Sequence, residues 1–136
     1  MNRKTISKKE REAVYKKYDG HCAYCGKKLE YKEMQVDHLI PYQRERFGKY
    51  TEEQIWCFEN YMPSCRRCNH YKRAHNLETF RRYIEEIPKK LSDLYIFKVG
   101  IDYRLCDAKP HSIEFYFETV EKTKYLRERE EFFEDK

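Results

Sequence analysis

The chain has 136 residues, with 29 lysines and arginines against 24 aspartates and glutamates for a net charge of +5. Charged residues make up 39% and hydrophobic ones 40%, and 13 tyrosines and 8 phenylalanines account for much of the second class. This composition fits a single domain over 1–136 with a modest core. It contains no stretch of membrane-spanning length, and no apolar run follows the basic start Met1-Asn2-Arg3-Lys4-Thr5 as a secretory signal would require.

In chain order, Ser7-Lys8-Lys9-Glu10 has the capping-box pattern and predicts a helix over about 7–18, with Ala13, Val14 and Tyr18 turned inward. Asp19-Gly20 stops it. Residues Lys28 to Tyr31 and Met34 to Leu39 read as two short strands around a turn at Lys32-Glu33. Alternation along the second strand puts Asp37 and His38 on opposite sides. Pro41 ends that strand, and Tyr42 to Tyr50 reads as a polar loop. Thr51-Glu52-Glu53-Gln54 repeats the capping-box pattern and predicts a short helix through Phe58. Asn60 to Ser64 reads as a loop, and a helix follows from Cys65 to about Arg73. Apolar spacing of Leu77, Phe80, Ile84 and Ile87 predicts a further helix, limited by Pro88. Leu94 to Cys106 and Ser112 to Val120 read as strands or mixed structure, and Lys122 to Glu134 as a charged helix.

Two Cys-x-x-Cys pairs, Cys22-Ala-Tyr-Cys25 and Cys65-Arg-Arg-Cys68, supply the four thiolates of one tetrahedral zinc. They leave Cys57 and Cys106 as singletons, which argues for metal in a reducing cytoplasm rather than three disulfides. Cys57 and Cys106 are expected to be small buried residues. With few aliphatic residues, the zinc would supply stability that the core lacks. Between the pairs lies Asp37-His38-Leu39-Ile40-Pro41, and Asn69 follows the last cysteine. Zinc draws both segments together, so Asp37 and Asn69 come near one another. Two oxygen side chains completed by water and a phosphate oxygen suit magnesium. A neutral imidazole beside them can take a proton from water. The basic residues Arg66, Arg67 and Arg73, sited next to these groups, read as contacts to phosphate.

The residues Cys22-x-x-Cys25, Val36-Asp37-His38-Leu39-Ile40-Pro41, Glu59-Asn60-Tyr61-Met62-Pro63 and Cys65-Arg66-Arg67-Cys68-Asn69-His70-Tyr71-Lys72 carry a resemblance to a known family. Over about Gly20 to Lys72 the chain resembles an HNH endonuclease of the ββα-metal type with a four-cysteine structural zinc. The resemblance implies an α+β fold, with a ββα-metal, treble-clef-like (His-Me finger) core over about 20–76. Around it stand the helix of 7–18 and a C-terminal extension, 77–136, with strands. It also implies hydrolysis of phosphodiester bonds in DNA: His38 is then the general base, and Asp37 and Asn69 hold one catalytic Mg2+ or Mn2+ that stabilises the leaving 3′ oxygen. Asn60 orients the His38 loop, and Lys72 faces phosphate. The chain departs from the family pattern at Asn69 and Arg73, where many members carry histidines, which favours an oxygen-bound magnesium or manganese. The spacer from Tyr42 to Glu59 is also long.

Other residues take plainer roles. His70 is expected to be exposed or on phosphate, and His21 and His111 to be structural. The aromatic residues Phe80, Tyr83, Tyr95, Phe115 and Tyr116 are assigned to the core. The alternative function is a non-catalytic zinc-stabilised nucleic-acid-binding module that presents Arg66, Arg67 and Lys72; a protein-interaction scaffold is a second. Two active sites on one duplex would require a dimer or a larger assembly.

Overall fold

In the computed structural model, which describes residues 4–42 and 50–124, Ser7 opens α1 (Lys8–Lys17) with the capping box its sequence carries. The Ser7 side chain accepts from the Glu10 amide while the Glu10 carboxylate reaches back to the Ser7 N–H. Val14 and Tyr18 turn inward as expected, whereas Ala13 is exposed. The turn at Asp19 (φ 52°) and Gly20 (φ 77°) ends the helix. A Cβ at Gly20 would stand 2.9 Å from the Tyr15 hydroxyl oxygen, so backbone conformation and space both require glycine there.

The predicted hairpin of 28–31 with 34–39 does not form. Lys28 makes only an isolated bridge to His21, and Tyr31–Glu33 winds into a 3-10 turn. The Arg11 guanidinium pins that turn by donating to the Tyr31 and Met34 carbonyls. The strand β1 (Gln35–His38) instead pairs antiparallel with β2 (Tyr61–Ser64), with Val36 opposite Pro63 and His38 opposite Tyr61. Local pattern marked Asn60 to Ser64 as loop, and Pro63 cannot donate to a ladder. In a two-stranded sheet every strand is an edge, and Pro63 is tolerated.

Between the strands, Thr51 caps α2 (Glu52–Ile55) with a second capping box. A 3-10 turn, Phe58–Asn60, then leads into β2. Cys65 caps α3 (Arg66–Lys72), its sulfur accepting from the Cys68 amide. The helix α3 packs on β1, and α1 on β2. Most of the expected loop from Tyr42 to Tyr50 lies outside the described residues.

The chain divides into two compact units. The first joins Met1–Asn76 to the segment from Glu114 onward. Within it, the Tyr116 and Phe117 amides donate to the carbonyls of Tyr24 and Ala23, at 3.0 and 2.8 Å. Phe115 and Phe117 are buried with their rings against Tyr24. Residues 116–124 are then helical (α7), where strand or mixed structure was expected to Val120. The Tyr18 hydroxyl donates to Glu121 of this helix. Beyond residue 124, the predicted charged helix lies outside the described residues.

The second unit, Leu77–Ile113, is helical throughout its regular structure: α4 (Leu77–Glu85), α5 (Ile87–Ser92) and α6 (Tyr95–Asp102). Pro88 sits in the first turn of α5, where its missing N–H costs nothing, so it begins a helix as well as ending one. Most of the segment Leu94 to Cys106, expected as strand or mixed structure, is α6, because a short apolar run does not distinguish a strand from a helix. Phe80 is fully buried, but Tyr95, expected in the core, is 83% exposed. Cys106 is exposed as well, its thiol donating to the Phe97 carbonyl. Among the described residues no helix is long and apolar enough to cross a membrane.

Candidate active site

The sulfur atoms of Cys22, Cys25, Cys65 and Cys68 all lie within 4.8 Å of one another, with Cys25 and Cys65 at 3.9 Å. Zinc–thiolate bonds of about 2.3 Å in a tetrahedron space the sulfurs by about 3.8 Å, so the donor set fits zinc. Backbone amides support the sulfurs: the Cys65 N–H donates to the Cys22 sulfur and the Cys68 N–H to that of Cys65. Cys57 stands apart, half-buried, with its thiol on the Gln54 carbonyl.

The four-cysteine cluster fixes where α3 meets the strands, and there the predicted chemistry converges. Asp37, His38 and Asn69 line one cleft of about 200 Å³, together with Val36, Pro41, Tyr42 and Arg73. Asp37 and His38 have different neighbours, as alternation on β1 requires, yet both border this space. The Asp37 Oδ2 accepts from the Tyr24 hydroxyl at 2.5 Å and pairs with the Lys72 ammonium at 3.1 Å. Burial pushes the Asp37 carboxyl up, opposed by Lys72 and Tyr24; burial and Asp37 together push the Tyr24 hydroxyl well above its usual range. The Asn69 Nδ2 donates to the Gln35 Oε1 at 2.6 Å. An acidic oxygen and an amide oxygen thus border one polar cleft, a donor set that suits magnesium or manganese.

His38 is held from two directions. Its ring sits among Trp56, Tyr61 and Tyr42, with centroids at 4.5, 5.2 and 5.6 Å and steep interplanar angles. Its carbonyl accepts from Lys72 at 3.0 Å. Asn60 fastens the following loop: its Oδ1 accepts from the Ile40 amide, its Nδ2 donates to the Ile40 and Ile55 carbonyls, and its carbonyl accepts from the Leu39 amide. Asn60 is buried, and it reaches the site through these backbone bonds.

Lys72 corrects a prediction. It was expected to face phosphate, but it is 0% exposed, its ammonium committed to Asp37 and the His38 carbonyl. On α3 it faces β1, and a helix residue packed against a sheet cannot also face solvent. Arg66, Arg67 and Arg73 are exposed, as expected. Arg73 caps α3 with φ 54° and lines the cleft, whereas Arg66 and Arg67 line a second hollow of about 420 Å³ with Lys27 and His70. His21 is structural, its Nδ1 on the Gly26 carbonyl and its ring stacked on Tyr116.

Sequence reasoning missed four participants. Tyr24 lies between the first two cysteines, Gln35 two residues before Asp37, and Trp56 within the short helix expected through Phe58. Lys17, on α1, donates to the carbonyls of Phe58, Glu59 and Tyr61 and so closes the turn that carries Asn60. Only the two-residue offset of Gln35 from Asp37 was a usable signal, since it places both on one side of a strand.

Residues 22–75 match the model of the HNH endonuclease family. This segment is an HNH domain, α+β in class, with the ββα-metal arrangement of β1, β2 and α3 around a four-cysteine cluster that suits a metal ion. Among solved structures, the crystal structure of the Type II-C Cas9 enzyme from Actinomyces naeslundii is similar, at 19% identity and a TM-score of 0.46. That likeness covers 80% of this chain and 12% of the Cas9 chain. No curated protein matches.

Proposed function

We propose that this chain is a metal-dependent endonuclease that hydrolyses phosphodiester bonds in DNA, in a reducing cytoplasm that keeps its cysteines available to zinc. The observation that carries the reading is the single cleft bordered by Asp37, His38 and Asn69. His38 is the general base: its imidazole, fixed by three aromatic rings, takes a proton from water. The oxygen so released attacks phosphorus in line. A new phosphorus–oxygen bond forms as the bond to the 3′ oxygen breaks, and that oxygen takes a proton from water, leaving a 3′ hydroxyl and a 5′ phosphate. Asp37 and Asn69 would hold a magnesium or manganese ion, which when bound polarises the phosphoryl group and offsets charge on the leaving oxygen. Arg73, at the mouth of the same cleft, offers a guanidinium to the phosphate.

The DNA backbone is held further out. Arg66 and Arg67 border the second hollow with Lys27 and His70, a lining of basic residues only. Replacing both arginines with alanine is expected to weaken duplex binding and reduce the slope of log affinity against log salt by about 2. Titrations at three salt concentrations measure this, and an unchanged slope would remove these residues from the interface.

The test of the whole reading is supercoiled plasmid incubated with the zinc-loaded chain, with and without magnesium or manganese. Nicking that requires the added cation is the expected result. Binding of the plasmid with no cutting under either cation would establish the zinc-stabilised binding module instead.

A further inference from the structure

Side-chain neighbours tie down each of the two residues proposed to hold the catalytic cation through one polar atom. On Asp37, both side-chain donors fall on the same oxygen: the Tyr24 hydroxyl at 2.5 Å and the Lys72 ammonium at 3.1 Å both reach Oδ2. On Asn69, the Nδ2 is spent on the Gln35 Oε1 at 2.6 Å. Tyr24 and Lys72 are buried, and neither lines the cleft; Gln35 is half-buried and does not line it either. Their polar atoms are thus placed to act on the ligands rather than on a substrate.

From this geometry we infer that Tyr24, Lys72 and Gln35 are positioning residues that decide which oxygen each ligand presents: Oδ1 of Asp37 and Oδ1 of Asn69. This rests on the endonuclease reading above. An ionised carboxylate can offer a cation either oxygen or both, and a side-chain amide can turn its nitrogen outward, where it would repel a cation. Two side-chain donors on Oδ2 favour Oδ1 as the oxygen that Asp37 presents. An acceptor facing the Asn69 NH2 group excludes the non-binding rotamer. The result suits a small ion that demands near-octahedral geometry and keeps several waters, better than one that wraps itself in bidentate carboxylates. Strand and knuckle supply the parts: Gln35 and Asp37 are alternate residues of β1, and Tyr24 is fixed between Cys22 and Cys25. The four-cysteine cluster therefore sets the orientation of a second metal site.

The inference is tested by manganese binding, followed by the electron paramagnetic resonance signal of free Mn2+. The sample is the zinc-loaded chain carrying His38→Ala, so that a short DNA duplex stays uncut. Tyr24→Phe and Gln35→Met are the informative variants, because neither changes the charge near the ion and a coulombic effect cannot mimic the result. Each is expected to raise the manganese dissociation constant by about tenfold, the low end of what loss of such a supporting partner costs. Zinc content and duplex affinity without manganese should stay at the parent value, which a general loss of structure would not allow. Manganese affinities within twofold of the parent in both variants would overturn the inference. Asp37→Ala in the same background separates the two readings. If it leaves manganese binding unchanged, the ligand pair itself is wrong; if it abolishes binding while Tyr24→Phe and Gln35→Met do not affect it, only the positioning role fails.

Discussion

Replacing His38 with alanine is expected to lower the magnesium-dependent nicking rate by about 10²- to 10⁴-fold while leaving DNA binding and zinc content unchanged. The magnitude is what a positioned general base contributes. The selectivity of the effect follows from how the residue is held. The Lys72 bond goes to the His38 backbone carbonyl and the Asn60 bonds go to Leu39 and Ile40, so alanine preserves all of them. What disappears is the imidazole enclosed by Trp56, Tyr61 and Tyr42. Arg66, Arg67 and Arg73, proposed to face phosphate, lie on and just after α3 and are untouched. Single-turnover nicking of supercoiled plasmid, with duplex affinity measured in parallel, checks the prediction. A variant that keeps a tenth of the parent rate would show that the proton goes elsewhere.

Removing zinc should have an even larger consequence for the first unit, which is expected to lose its cooperative fold. Structural zinc in small domains is worth about 10–16 kcal/mol, against a total stability of about 5–15 kcal/mol for a typical domain. Few aliphatic side chains are available here to make up the difference. Among the buried hydrophobic residues of this unit are Val14, Leu29, Met34, Ile55 and Met62, and the rest is largely aromatic or cysteine. Cys65 is the critical ligand. It follows β2 directly, caps α3, accepts from Cys68 and donates its own amide to the Cys22 sulfur. Cys65→Ser should therefore detach the helix that carries Asn69, Lys72 and Arg73 from the strand that carries Asp37 and His38. Hydrogen exchange before and after treatment with a chelator is the appropriate measurement. Amides of β1, β2 and α3 should lose protection and regain it on adding zinc. Protection of Tyr61–Ser64 that survives zinc removal would mean that the sheet stands without the metal.

Chemistry that is local in sequence was legible before any fold was known. Two Cys-x-x-Cys pairs mark a four-thiolate site, a Ser or Thr three residues before Glu or Gln marks a helix start, and both capping boxes form as written. The pairing of Asp37-His38 with a later Asn69 could also be read, since four thiolates on one ion draw the two segments together whatever lies between them. Tertiary structure alone decided the rest, because the deciding contacts join residues far apart in the chain. The strand β1 had a near neighbour that looked suitable at 28–31, yet it pairs with Tyr61–Ser64, held beside it by the second knuckle. Lys72 looks like any basic helix residue until the helix is laid against β1, where burial forces its charge onto Asp37. Local pattern gave strands or mixed structure at 94–106 and 112–120, where helices form over Tyr95–Asp102 and from residue 116, because apolar runs without clear period take the structure their packing permits. The sequence by itself singled out the residues proposed to meet the metal and the water. Only the folded chain decided which neighbours hold them there, since a hydrogen bond across 34 residues leaves no trace in the spacing of either partner.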